Sequence, residues 1–121
     1  MKNNIIQEKS YVFALRIIKV YDYLKREKRE YIMSKQLMRS GTSIGANIEE
    51  AIGGMSKNDF IAKMSIAYKE TRESMFWIRL LKDSNYFTDN AGNSLLKDCE
   101  ELCKILVAIL NTSKNDNKQD S

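Results

Sequence analysis

Several groups of residues in this chain have the types and spacing that chemistry uses. The first is basic: Arg16, Lys19, Lys25, Arg26, Lys28 and Arg29, with Lys2 and Lys9 upstream. Arg16 and Lys19 are close on one helix, and the others crowd its end. Cations gathered this way hold phosphates by charge without reading sequence. Tyr11, Tyr23 and Tyr31 stand near enough to stack unpaired bases. The competing reading is a solvated face on which Glu27 and Glu30 compensate the charge and the tyrosines pack with their hydroxyls in water. The second group is Arg39, Ser43, Asn47 and Glu50, spaced 4, 4 and 3, which places them on one side of a helix. That stripe can meet Glu70 and Glu73 across a helix pair, with Arg39 neutralising a carboxylate and Asn47 bridging. Two readings stay open for it: a network that fixes register and oligomer state, or a ligand or RNA site.

The remaining groups carry less. Glu49, Glu50, Glu70 and Glu73 offer oxygen ligands, but Arg39 and Arg72 disfavour a cation nearby, and the chain has no histidine to complete the usual di-iron arrangement. Cys99 and Cys103 stack on one helix face, a geometry that rarely closes into a relaxed disulfide. They interleave with Leu95, Leu96, Leu102, Leu106 and Leu110 and read as small buried hydrophobes, with redox sensing or metal binding as the alternatives. The absence of histidine also excludes Ser-His and Cys-His catalysis, and no glycine-rich elbow surrounds a serine or threonine that a lysine might activate. No catalytic residue, cofactor or metal is expected.

The elements that position these groups follow from composition and periodicity. At 121 residues, with 43% hydrophobic residues, no proline and five glycines, the chain has the apolar content for one core and few of the turn-makers of an all-β fold. A first helix is predicted over about 10–28 on Phe13, Ile17, Val20 and Leu24, with Ala14, Ile18 and Tyr21 on an adjoining stripe. That width suits a helix buried between two partners. Ser10 is its plausible N-cap, with a possible upstream extension, and the charged stretch 25–30 holds the first turn.

A second helix is predicted over about 31–52 on Met33, Leu37, Ile44, Ile48 and Ala51. Gly41 and Gly45 inside it, beside Ser40 and Ser43, point to close approach of another helix, with a bend as the competing explanation. Gly53 and Gly54 end it as a C-cap pair. Ser56 to Asp59 resembles a capping box with a shortened acid. It opens a helix reaching about Asp83, with Phe60, Met64, Ala67, Thr71, Ser74, Ile78 and Leu81 spaced 4, 3, 4, 3, 4, 3 and a length of ~40 Å. Asn85 belongs to the next turn, and Thr88 caps a fourth helix. The polar tail from about 111 is expected to be disordered and the N-terminus frayed. The result is one all-α domain over 1–121, an antiparallel up-down-up-down four-helix bundle.

The stretch from Gln36 through Arg39, Ser43, Asn47 and Glu49 to Ala51 resembles the signature of the four-helix-bundle proteins encoded by intervening sequences within bacterial large-subunit ribosomal RNA genes. Tyr68 to Ser74, followed by Trp77 to Leu81, is similar to the family's third-helix pattern. The resemblance covers residues 10–110. It implies a bundle that assembles as a ring-shaped homopentamer, without enzymatic activity, and a relation to the accessory variability protein of diversity-generating retroelements. That relative resembles a nucleic-acid-binding partner of a reverse transcriptase. The family takes its name from the location of its genes.

The formal charge of +4 and pI near 9.0 favour polyanions mildly. The bias sits at the front, where residues 1–30 hold eight basic residues against four acidic ones. No signal peptide or bilayer-spanning apolar run is visible, so a cytoplasmic protein without membrane contact is expected. The function expected is a non-enzymatic oligomeric nucleic-acid-binding or RNA-associated adaptor working through its basic surface. The alternative is a structural or protein-interaction ring that positions a partner protein without touching nucleic acid.

Overall fold

The computed structural model describes residues 2–120 of the chain, and side chains from 5 to 116. Four α-helices account for nearly all of it: α1 (Lys2–Arg26), α2 (Met33–Ile52), α3 (Lys57–Asp83) and α4 (Asp89–Asp120), with no strand among the described residues. Each helix packs on its neighbours in sequence, and α1 closes the bundle against α4. Named contacts give the register. Gln7, Ser10 and Ile17 meet Glu49, Gly45 and Gly41 in turn, while Ser40 and Glu50 meet Ser74 and Lys63. Numbers rise along one helix as they fall along its neighbour, so both pairs run antiparallel.

The apolar stripes meet in one core. Ile6, Phe13, Ile17 and Leu24 come from α1, Leu37, Ile44 and Ile48 from α2, Met64, Ile78 and Leu81 from α3, and Leu95, Leu102 and Leu106 from α4, all buried. Thr71 and Ser74 occupy two α3 stripe positions without hydrophobic side chains. Thr71 donates to the Ala67 carbonyl, Ser74 donates to that of Glu70, and the Ser40 and Ser74 hydroxyls meet at 2.8 Å across α2 and α3. These contacts satisfy the hydroxyls locally, as burial requires.

Helix ends follow their capping chemistry. Ser56 Oγ accepts from the Asp59 amide at 3.1 Å, and Thr88 Oγ1 accepts from the Ala91 amide at 3.1 Å, as expected at both starts. After α3, Asn85 takes a left-handed conformation (φ 68°). Its amide donates to the Lys82 carbonyl, and the Tyr86 amide donates to that of Leu81, the paired bonds of a Schellman motif.

Three expectations differ. Ser10 is not an N-cap: α1 starts at Lys2, and Ser10 is buried mid-helix, donating to the Gln7 carbonyl at 3.0 Å. The upstream Ile6 is core, which is why the helix extends. Gly53 caps α2 as expected, its amide donating to the Glu49 carbonyl and that of Gly54 to Ala51, although neither glycine has a positive φ; the left-handed non-glycine residues are Arg29 and Asn85. The second α1 stripe is not buried between partners, because Ile18 is 45% exposed. Finally, α4 continues through the polar stretch after Leu110 to Asp120, since extending a formed helix is far cheaper than starting one.

Candidate nucleic-acid interface

The basic set is assembled by the end of α1. Lys25 and Arg26 lie in its last turn, where unpaired carbonyls favour cations. Arg26 pairs with Asp22 one turn earlier (2.9 Å), and Lys25 Nζ lies 4.7 Å from the Tyr21 ring centroid. Both contacts are solvent-exposed and weak holds on the charge. The chain then reverses through Arg29, in the left-handed region at φ 52°, and the Glu30 amide donates to the Leu24 carbonyl at 3.0 Å.

This reversal turns Glu30 inward, a role the sequence reading missed. Glu30 is only 7% exposed. Its Oε2 accepts from the Ile32 and Met33 amides at 3.2 and 3.1 Å, and its Oε1 accepts from the Ser34 amide at 2.7 Å. Ser34 Oγ donates back to the Glu30 carbonyl at 2.7 Å. A carboxylate thus takes three of the free amides at the start of α2, as the positive end of a helix favours. Glu30 is therefore not a solvated counter-charge for Lys28 and Arg29. The signal for it was an acid placed just before a helix start with a serine four residues on. Lys28, Arg29 and Lys19 are exposed and form no ion pair among the described residues. The Lys2 side chain lies outside the described residues.

Arg16 differs from the rest. It is half-buried between α1 and α4, donating to Asp98 at 2.7 Å and to Ser94 at 2.8 Å. Together with Lys9–Glu101 at 2.9 Å, it bridges the least extensive of the four helix–helix seams. Two of the clefts along that seam adjoin the basic residues. One of about 600 Å³ is lined by Glu8, Asp98 and Glu101 against the single cation Lys9. The other, of about 460 Å³, has Arg16, Lys19 and Tyr23 with an apolar wall of Val20, Phe87 and Leu95.

The second-helix polar set is only partly brought together. Arg39 reaches across to α3, donating to Glu70 at 3.0 Å and also to Glu73, which in turn accepts from Trp77 Nε1 at 3.1 Å. The Trp77 and Arg39 hydrogen bonds hold the Glu73 carboxyl below its ordinary range, and the Glu73 bond raises the Arg39 guanidinium further. Asn47 does not bridge helices: its Nδ2 donates to the Ser43 carbonyl one turn back, at 2.8 Å. Glu49 accepts from Gln7 of α1 at 2.7 Å, and Glu50 pairs with Lys63 of α3 at 3.0 Å. The stripe's cross-helix contacts, from Arg39 and Glu50, thus all go to α3, while the adjoining Glu49 turns to α1. No group of three acids and thiols that could hold a metal ion occurs among the described residues. Cys99 is buried, Cys103 is half-buried with its Sγ 4.0 Å from Met75 Sδ, and burial pushes both thiols up.

No described helix is long and apolar enough to cross a membrane. Comparison with known proteins follows the same outline. Residues 2–108 match the family described as 23S rRNA-intervening sequence protein. The crystal structure of a protein of unknown function from the S23 ribosomal protein family of Bacteroides thetaiotaomicron VPI-5482 is 45% identical. It superimposes with a TM-score of 0.91 over 92% of this chain and 99% of that one. Among curated proteins, none matches.

Proposed function

The chain belongs to the 23S rRNA-intervening sequence protein family, and from that premise we propose that it is a non-enzymatic adaptor, oligomeric and cytoplasmic, that binds nucleic acid through the basic end of α1. One observation carries this reading. Glu30, next to Arg29, is turned inward to cap α2, and Lys28 and Arg29, beside Lys25 and Arg26, face solvent and form no ion pair among the described residues, the exposed Glu27 included. Such a surface holds phosphates by charge, without base readout. Repetition around a symmetric ring, the pentamer that the family resemblance implies, would raise the avidity of a modest patch for a long polyanion. The relation to the accessory variability protein of diversity-generating retroelements that the family resemblance implies would fit the same role.

The test is binding of structured RNA and of duplex DNA across a salt series. Lys25→Glu, Arg26→Glu, Lys28→Glu and Arg29→Glu combined should abolish binding and flatten its salt dependence. Unchanged affinity would refute the patch. A second reading, a ring that positions a protein partner, is favoured by the outward apolar residues of α1: Ile5, Val12, Leu15 and Ile18 are all at least 45% exposed. Host proteins that stay bound after nuclease treatment would support it over nucleic acid.

A further inference from the structure

The two larger clefts of the α1–α4 seam are opposites in charge. Glu8, Asp98 and Glu101 line the larger one and repel a phosphate. The smaller lies on the opposite side of Arg16, towards the basic end of α1, and has no acid among its lining residues. Its volume of about 460 Å³ is within the range of small-ligand sites. Phe87, buried at 8% exposure, forms its wall with Val20 and Leu95, while Tyr23 and Lys19 stand exposed at its mouth. Arg16 is fixed on the rim by Asp98 and Ser94, whereas Lys19 has no ion pair among the described residues. An apolar slot with an aromatic edge and a free ammonium matches one kind of occupant: a flat, uncharged ring that carries an anion on a short tether.

We propose that this cleft takes an unpaired base of a single-stranded nucleic acid, its ring against Tyr23 and the apolar wall and its phosphate on Lys19. This rests on the reading that the chain binds nucleic acid, and deepens it: the end of α1 supplies affinity for any phosphate backbone, and the cleft adds a preference for single strands. A paired base, stacked inside a duplex, has no access to such a slot.

The experiment compares a single-stranded RNA oligonucleotide, the same sequence as single-stranded DNA, and the corresponding RNA duplex, by fluorescence anisotropy. Ala91→Phe fills the cleft from an exposed position on α4, and Tyr23→Ala removes its aromatic edge; far-ultraviolet circular dichroism checks that both remain helical. Each should weaken single-strand binding about tenfold and leave the duplex within about twofold. The DNA arm shows whether the cleft accepts a base from either backbone. A 2-aminopurine base placed in the strand should be quenched by the native chain and not by Ala91→Phe. Lys28→Glu with Arg29→Glu should weaken single strand and duplex alike. If only this charge reversal matters, the cleft assignment is overturned and the basic patch stands. If both cleft variants weaken duplex and single strand equally, base capture is again refuted. Native protein that binds none of the three probes would overturn the nucleic-acid reading itself, and the cleft with it.

Discussion

Replacing Glu30 by alanine removes a side chain that sequence alone would leave in water, and its cost can be worked out bond by bond. The Ser34 amide is buried and loses its only side-chain acceptor, which costs about 1–3 kcal/mol. The Ile32 and Met33 amides are nearer solvent and recover much of their loss from water. Loss of the negative charge at the start of α2 adds about 0.3–1 kcal/mol. The total is about 3 kcal/mol. With an unfolding entropy of roughly 2.1 cal/mol/K per residue over the chain, this corresponds to a fall in Tm of about 12 °C. Urea unfolding followed at 222 nm, at fixed protomer concentration, measures it. Glu30→Gln, which keeps one oxygen but loses the charge, should fall about midway. Glu27→Ala serves as the control: Glu27 is exposed, its side chain accepts no hydrogen bond among the described residues, and its removal should cost less than about 0.5 kcal/mol. Equal losses in Glu27→Ala and Glu30→Ala, or none in either, would refute the assignment of Glu30 as the cap.

Two further changes test the packing and the cross-helix network. An alanine methyl at Gly41 would sit 2.9 Å from Ile17 Cγ1, in the core, whereas at Gly45 its nearest neighbour is Ser10 at an ordinary 3.5 Å. Gly41→Ala should therefore destabilise by about 1–2 kcal/mol, and Gly45→Ala should stabilise by about 0.5–1 kcal/mol; identical urea midpoints for the two would contradict this geometry. For Glu73, the native carboxyl lies below its ordinary value of 4.5, so its stabilising share is complete above that pH and disappears as pH falls from there through the lowered native value. The stability gap between native chain and Glu73→Gln, read through Trp77, the sole tryptophan, should be constant near neutrality and close on acidification below 4.5; a gap that widens in acid would have the wrong sign.

The helices were readable because their apolar spacing is regular and the core uses the positions it marks: Phe13, Ile17, Ile44, Met64, Ile78 and Leu102 are all buried. Caps at Ser56 and Thr88 and the turn at Asn85 were readable because each depends on one side chain and its nearest amides. The start of α1 was not, since Ser10 has the chemistry of a cap and only its burial against Gly45 excludes that role. Arg39 was correctly aimed at Glu70 and Glu73, but Asn47, two stripe positions beyond Arg39, prefers its own backbone. Glu30 was misread for a related reason. Its charge looked like one more member of an exposed run, and only the left-handed turn at Arg29 points it back into the protein. The cleft beside Lys19 has no sequence signature, because it is made only by the packing of α1 against α4 at the least extensive seam of the bundle.

That sparse seam affects more than recognition. The closing seam is bridged by Lys9–Glu101 and Arg16–Asp98, and ion pairs at a water-exposed joint weaken as ionic strength rises. A base seated in the cleft beside Lys19 would rest against the guanidinium that fastens the first helix to the last. The latch of the bundle and the rim of its candidate pocket are one side chain, so filling the pocket would bear on how firmly the bundle is shut.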